Sequence, residues 1–192
     1  MKMKHAFTLA EVLITLVIIG VIGALTVPSL IQNTQKQEYV SALKKAYSTL
    51  SQAAQQIITE EGSPKCDDGG WACSLDGLYD IFKKHLNVMK DDSNKRKLYL
   101  ADGAVILLCN VFGDCGYSGH IDIDGSKDIC AYIYADVNGD KKPNKVGRDN
   151  FLFVLKQNGL YPAGCDKDGI CMKDGCSYAC TCKVLSENAV NY

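Results

Sequence analysis

The sequence predicts an α+β protein. A long N-terminal helix, transmembrane in its first half and amphipathic in its second, would pack on a small antiparallel sheet, followed by a disulfide-rich C-terminal tail. Three observations support this: an apolar run continues to Ile31, strand-like segments follow the helix, and all ten cysteines lie beyond residue 65. A helix followed by consecutive strands is the layer pattern of α+β proteins.

The apolar run of residues 7–31 is long enough to cross about 30 Å of hydrocarbon as a helix. Lys2 and Lys4 precede the run, and no basic residue follows it until Lys36. This asymmetry places the N-terminus in the cytoplasm and the C-terminal part outside. The chain therefore divides into residues 1–6, a transmembrane half at 7–31, and one compact domain at 32–192.

Glu11 lies inside the apolar run. A charge at the centre of a membrane span costs roughly 2.5–3.5 kcal/mol on insertion scales, so this carboxylate is interpreted as a functional group that needs a partner. Two simpler interpretations are a secretory signal cut near Ala24 and a plain signal anchor. An early acid is unusual in a secretory signal, and the run is longer than a signal core.

The segment from Lys4 to Leu13, K-H-A followed by F-T-L-A-E-V-L, resembles the type III signal of type IV pilins and type II secretion pseudopilins. It departs from that signal at Ala6, where Gly is usual, and at Ala10, where a larger aliphatic residue is common. The resemblance implies that a membrane prepilin peptidase removes residues 1–6 as a leader, cutting between Ala6 and Phe7, and methylates the new amine of Phe7.

The resemblance also implies a structural role in a type IV pilus-like or type II secretion pseudopilus filament, on the cell surface or in the periplasm. In such a filament Glu11 would pair with the Phe7 amine of a neighbouring subunit. The implied partners are other pilin-like subunits, a platform membrane protein, an assembly ATPase and the peptidase. Two alternatives stay open: a minor tip pilin or adhesin with a Cys-rich recognition tail, and a membrane-anchored secreted binding domain.

The helix is expected to continue from Phe7 to about Glu60. Pro28 removes one backbone hydrogen bond and should kink or loosen it. After residue 32 the apolar positions recur at steps of three and four, which is typical of one face of a helix. The residues of this stripe are Val40, Leu43, Tyr47, Leu50, Ala54 and Ile57.

Beyond Gly62 the sequence predicts a loop at 63–73, a short helix at 76–85 and a solvated connection at 88–97. A hairpin of strands 97–101 and 104–109 is expected around a two-residue Asp102-Gly103 turn. A weak short strand is expected at 121–123. Residues 130–137 and 150–156 are the clearest strands, since they are rich in aromatic and β-branched residues.

The connection between those last two strands, residues 136–149, resembles a D-x-N-G…P-N-x-x-G-x-D stretch of many bacterial pilin-like proteins. Asp136, Asn138 and Asp140 offer three oxygen ligands of the kind that calcium prefers. The full EF-hand pattern fails at Lys141 and Gly147. The other interpretation is a turn whose Asx side chains bond its own backbone.

Cysteines of this density outside the cytoplasm predict disulfides, and an even count permits five bridges. Cys66–Cys73 is a plausible local bridge, and Cys109, Cys115 and Cys130 lie close to one another in sequence. The tail cysteines at 171, 176, 180 and 182 lack the paired C-x-x-C spacing that structural zinc prefers.

The composition argues against several classes of function. The formal net charge is −1, so nucleic-acid binding has no compositional support. The three histidines are isolated in sequence, and His85 is expected to be a surface or half-buried helix residue. No phosphate loop or nucleophile motif is visible, and the sequence is interpreted as non-enzymatic with no cofactor other than the candidate calcium.

Overall fold

A computed structural model describes residues 8–66, 72–116, 128–164 and 180–190, and the backbone of 173–174 and 177–178. The chain forms two compact units, Met1–Gln37 and Glu38–Tyr192, and helix α1 (Leu9–Glu61) extends through both ranges. The predicted helix from Phe7 to Glu60 is confirmed over the described part, with its end one residue later.

In the first unit, α1 is continuous through Pro28. Its large apolar side chains are exposed, from Leu9 at 78% to Ile31 at 50%. By length and composition the helix is able to cross a membrane. Such a surface, apolar all round, needs lipid or other helices to cover it.

The second unit contains a six-stranded sheet in which every neighbouring pair is antiparallel and the spatial order follows the sequence. Helix α2 spans Leu75–His85 and helix α3 Thr181–Glu187. The sheet strands are β1 (Val88–Asp92), β2 (Lys97–Leu100), β3 (Val105–Val111), β4 (Ile129–Asp136), β5 (Asn150–Lys156) and β6 (Gly159–Pro162), and a separate pair is formed by β7 (Lys173–Asp174) and β8 (Ser177–Tyr178).

The predicted stripe of α1 forms the main core with one face of the sheet. Leu43, Leu50 and Ile57 are fully buried and belong to the same apolar cluster as strand residues such as Phe153. The ring of Tyr47 stacks on that of Phe153 with centroids 5.7 Å apart. Since each buried Leu or Ile contributes about 1.5–3 kcal/mol, this face fixes the register of helix on sheet.

Helix α2 confirms the predicted helix at 76–85. It begins at the N-cap Ser74, whose hydroxyl accepts a hydrogen bond from the backbone N–H of Gly77 at 3.0 Å. The expectation that His85 is a surface or half-buried helix residue is confirmed: the residue as a whole is half-buried, although its side chain is only 3% exposed and lies against Glu60. Burial follows from its position in the last turn, where the ring reaches back to the end of α1.

Two expectations need correction. Residues 88–92 form the edge strand β1 rather than a solvated connection, although its middle is exposed. The β2–β3 turn has three residues, 101–103, because the N–H of Leu100 bonds to the carbonyl of Ala104 at 2.9 Å. Gly103 closes it with φ +92, as a three-residue hairpin with a left-handed last position requires.

A second small core lies in β4 and β5, where Tyr132, Leu152 and Val154 are buried together. The C-terminal part contains helix α3, which the sequence analysis did not predict. Thr181 is fully buried at the start of α3 and accepts a hydrogen bond from the N–H of Leu152 at 2.8 Å. The strand expected at 121–123 lies outside the described residues.

Disulfides join Cys66 to Cys73 and Cys115 to Cys130. The first confirms the predicted local bridge. The second joins the segment that follows β3 to strand β4. Cys180 and Cys182 are also disulfide-bonded, which supports disulfides rather than zinc in the tail.

Candidate functional site

The N-terminus of α1 is organised by Thr8 and Glu11. One carboxylate oxygen of Glu11 accepts hydrogen bonds from the backbone N–H and from the hydroxyl of Thr8, each at 2.8 Å. The hydroxyl oxygen of Thr8 accepts in turn from the N–H of Glu11 at 3.3 Å. This reciprocal pattern is a capping box, which satisfies backbone donors that a helix N-terminus leaves unpaired.

Sequence analysis did not assign Thr8 a role. The available signal was Ser/Thr-x-x-Glu directly before an apolar run, which predicts a capping box. Glu11 is exposed in the single chain, as is the apolar surface around it. The predicted processing residues Ala6 and Phe7 lie outside the described residues.

The capping box gives Glu11 a partner within its own chain. Its carboxylate also lies at the positive end of the helix dipole, which favours a negative charge there. An ionised carboxylate in this position keeps lone pairs available, since an acid group offers about four acceptor directions. The geometry therefore permits a second, cationic partner without breaking the cap.

The other candidate site is the β4–β5 connection of residues 137–149, called the 137–149 loop below. The three predicted calcium ligands have different surroundings. Asp136 ends β4 and accepts from the N–H of Asn138 at 3.3 Å. Asp140 is 63% exposed, and its carboxylate lies 3.3 Å from the ammonium of Lys97 and accepts from the hydroxyl of Tyr99 at 3.2 Å.

The centre of the loop is Asp149, whose side chain is fully buried. It accepts hydrogen bonds from the backbone N–H of Asn144 at 2.7 Å, from that of Lys145 at 2.5 Å, and from the amide of Asn138 at 3.1 Å. Buried carboxylates need such donors to offset the loss of hydration. From the sequence, Asp149 was expected at most to supply a late carboxylate to the candidate calcium site, and its bonds to the loop amides were not predicted.

Burial raises the pKa of Asp136 to about 7, and the negative charges of Asp149 and Asp140 act in the same direction. With its amide nitrogen turned toward these acceptors, Asn144 donates to the Asp136 carboxylate at 2.9 Å and to the carbonyl of Lys141 at 3.0 Å. The side-chain oxygen of Asn138 is buried and has no hydrogen-bond partner among the described residues.

The described residues contain no group of three or more His, Cys, Asp or Glu side chains arranged to hold a metal ion. Within the loop, Asp136 and Asn138 lie near Asp149, whereas Asp140 pairs with β2. The loop is closed by its own hydrogen bonds, as the Asx-turn interpretation expects. Calcium binding by Asp136, Asn138 and Asp140 stays a prediction.

Comparison with known proteins identifies one feature. A family model, the prokaryotic N-terminal methylation motif, matches residues 1–27. No curated protein and no solved structure matches the chain. The chain therefore carries the N-terminal signal of type IV pilins and pseudopilins, and this signal contains the Thr8–Glu11 capping box.

Proposed function

We propose that this chain is the precursor of a structural subunit of a type IV pilus-like or type II secretion pseudopilus filament. The observation that carries the proposal is the methylation motif at residues 1–27, which coincides with the exposed apolar part of α1 and precedes a separate folded unit. The motif points to a structural protein and not to an enzyme.

In this proposal the apolar half of α1 has two successive environments. Before assembly it holds the subunit in the inner membrane, with the basic N-terminus in the cytoplasm and the folded unit outside. In the filament the same side chains pack against those of neighbouring subunits. The disulfides Cys66–Cys73 and Cys115–Cys130 agree with an oxidising compartment for the folded unit.

Glu11 gains a second partner along this path. In the single chain its carboxylate is held by Thr8, with two bonds of 2.8 Å. After processing, the Phe7 amine of a neighbouring subunit supplies a cation. Breaking a buried charge pair costs roughly 3–5 kcal/mol, so a subunit added out of register would be rejected. The pair of Glu11 and the Phe7 amine therefore controls the register of subunits in the filament more than the overall stability of the filament.

The partners follow from the same proposal. A prepilin peptidase cuts between Ala6 and Phe7 and methylates Phe7. A platform membrane protein and an assembly ATPase then move the subunit from the bilayer into a filament with other pilin-like subunits.

The test is the mass of the mature N-terminus. Cells that express the chain with and without a prepilin peptidase would be fractionated, and the N-terminal peptide identified by mass spectrometry. We expect a chain that begins at methylated Phe7 only when the peptidase is present. A peptidase-independent cut near Ala24, or an uncut chain in both strains, contradicts the proposal.

A further inference from the structure

The outer surface of the 137–149 loop is cationic. Its three exposed lysines, which we call the basic loop face, are Lys141, Lys142 and Lys145. Of the two acids in the loop, Asp149 is fully buried and Asp140 pairs with Lys97 of β2. Within the described residues, no carboxylate lies within 4.0 Å of the three ammonium groups. The loop therefore presents positive charge that the folded unit itself does not neutralise.

The other end of β4 carries exposed acids. The 137–149 loop follows the last residue of β4, whereas Asp128 directly precedes the first residue of that strand. Asp114 lies at the same end as Asp128, because its neighbour Cys115 is disulfide-bonded to Cys130 of β4. Both aspartates are exposed, and no lysine or arginine lies within 4.0 Å of their carboxylates in the described part of the chain. We call these two aspartates the acidic end.

One cation at this end reduces the negative charge without cancelling it. Lys156 of β5 is the register partner of Ile129, but its ammonium lies over the ring of Tyr161, 5.2 Å from the centroid. The sequences of the two connections show the same contrast. Residues 112–128 contain four aspartates and one lysine, a formal charge of −3, and residues 137–149 contain four basic and two acidic residues, a formal charge of +2. The two ends of β4 are therefore opposite in charge.

The two charged ends are too far apart to neutralise each other within one chain. Strand β4 has eight residues, and strands rise about 3.3 Å per residue, so its ends are about 23 Å apart. The Debye length at physiological salt is about 8 Å, and exposed charges farther apart than this are largely screened from each other. Each end therefore has uncompensated charge that a second molecule is able to meet.

Both ends are held in one conformation by bonds within the folded unit. In the loop, the N–H groups of residues 148–150 all bond to the carbonyl of Lys145, each at 3.1 Å. At the acidic end, the N–H of Cys115 bonds to the carbonyl of Phe112 at 2.8 Å, and the disulfide to Cys130 fixes this segment on β4. Charges presented from ordered segments lose less entropy on binding than charges on flexible ones.

We propose that the basic loop face of one copy of the chain binds the acidic end of a second copy. The contact joins two different surfaces of the folded unit, and heterologous contacts of this kind build open filaments when the rotation between copies does not close a ring. Charge complementarity mainly sets the orientation of the two molecules and rejects wrong partners, and it adds less to affinity. The proposal deepens the proposed function and rests on it, because filament assembly brings the copies together.

The experiment seeks this contact in sheared filaments of the full-length chain. A carbodiimide couples an ammonium group directly to a carboxylate that touches it and adds no spacer. Products with the mass of two chains are then digested, and the linked peptides are identified by mass spectrometry. We expect amide links from the basic loop face to Asp114 or Asp128. Because about 23 Å separates the two ends within one chain, such a link joins two copies.

Charge variants test the pairing of the two ends. Lys142→Glu should lower the fraction of subunit recovered in sheared filaments about three- to tenfold, because it replaces an attraction by a repulsion. Asp114→Asn combined with Asp128→Asn should also lower it. Asparagine keeps the acceptor that Asp114 offers to the N–H of Gly116 at 3.0 Å, and it tolerates the positive φ of Asp128. In that neutralised chain, Lys142→Glu should change incorporation less than about twofold, because its partner is gone.

Lys95→Glu is the matched control for the lysine variant. It makes the same charge change at the β1–β2 turn, where Lys95 pairs with Asp92 at 3.9 Å, outside both charged ends. Since exposed ion pairs of this kind contribute little, incorporation should stay within about twofold of the native chain.

Filaments that show no such link, and that incorporate Lys142→Glu as well as the native chain, would overturn this proposal alone and leave the proposed function standing. Links from the basic loop face to a different protein would overturn a second copy as the partner. An equal loss from Lys142→Glu in the native and the neutralised chain would overturn the acidic end as its target. A chain that is not cut before Phe7 and enters no filament contradicts the proposed function and this proposal together.

Discussion

His85 and Glu60 link the ends of two helices, with Nε2 of His85 3.0 Å from a carboxylate oxygen of Glu60. The other ring nitrogen lies 2.8 Å from the carbonyl of Ile81. Both nitrogens therefore face acceptors, which only the imidazolium satisfies because both of its nitrogens are donors. The hydrogen bond to Glu60, followed by that to Ile81, raises the pKa of His85 above 6.5.

This link predicts a pH dependence of stability. The contribution of His85 is fully present below its unfolded pKa, near 6.5, and is lost as pH rises through the raised folded value. The hydrogen bond from His85 lowers the pKa of Glu60 below 4.5, so the contribution of Glu60 is lost only as pH falls through that lower value. We expect the melting temperature of the full-length chain in detergent to fall as pH rises from about 6.5 through the raised folded pKa of His85.

The matched variants are His85→Gln and Glu60→Gln. His85→Gln should flatten the melting profile in that window, since the titrating group is gone. Glu60→Gln should shift the fall to lower pH, because the ring then lacks the carboxylate that favours its charged form. A wild-type profile that rises across the same window would contradict the assignment.

The second prediction separates the two roles of Glu11. Glu11→Leu removes a charge from the apolar segment, so membrane insertion should be as good as or better than in the native chain, while incorporation into filaments should fall. Thr8→Val removes only the capping hydroxyl and should cost about 0.5–2 kcal/mol of helix stability at most. The measurement is the fraction of subunit recovered in sheared filaments relative to the total in membranes.

Thr8→Val serves as the control for loss of the cap. If the cap alone mattered, both variants would lose incorporation to a similar extent. Native incorporation of Glu11→Leu would show that the carboxylate is not needed for assembly.

The sequence was sufficient to predict those elements whose structure is set by the local pattern of apolar residues. The stripe of Leu43, Leu50 and Ile57 predicted the buried face of α1, because residues three and four apart share a helix face. Strands β4 and β5 were predictable for a similar reason, since their apolar runs are buried on both faces.

The sequence was insufficient to predict those features that depend on tertiary contacts. Strand β1 contains the charged residues Lys90, Asp91 and Asp92. Charges on an edge strand discourage pairing with another sheet. The same composition is typical of a solvated connection. Helix α3 has seven residues, too few for periodicity to be read reliably. The role of Asp149 depends on amides brought close by the loop's own fold, which no spacing in the sequence records.

The third prediction concerns the centre of the 137–149 loop. Asp149→Ala leaves the amides of Asn144 and Lys145 without their buried acceptor. Each hydrogen bond to a charged group contributes about 1.5–3 kcal/mol, so we expect a loss of at least that amount in the free energy of unfolding. Asp140→Ala is the control: its carboxylate is 63% exposed, and its loss should cost about 1 kcal/mol or less. Equal losses in the two variants would show that Asp149 is not the centre of the loop.

The last prediction concerns calcium at Asp136, Asn138 and Asp140. An ion bound only to the folded chain stabilises it by about 2.7 kcal/mol at a hundredfold excess over Kd, so a calcium site would raise the melting temperature in millimolar calcium. The loop already satisfies Asp149 with its own amides, and Asp140 faces Lys97 and Tyr99 instead of Asp136. We therefore expect the same melting temperature with calcium and with chelator. A rise that chelation reverses and that Asp140→Ala abolishes would establish the ion site instead, with the loop rearranged so that Asp140 leaves Lys97.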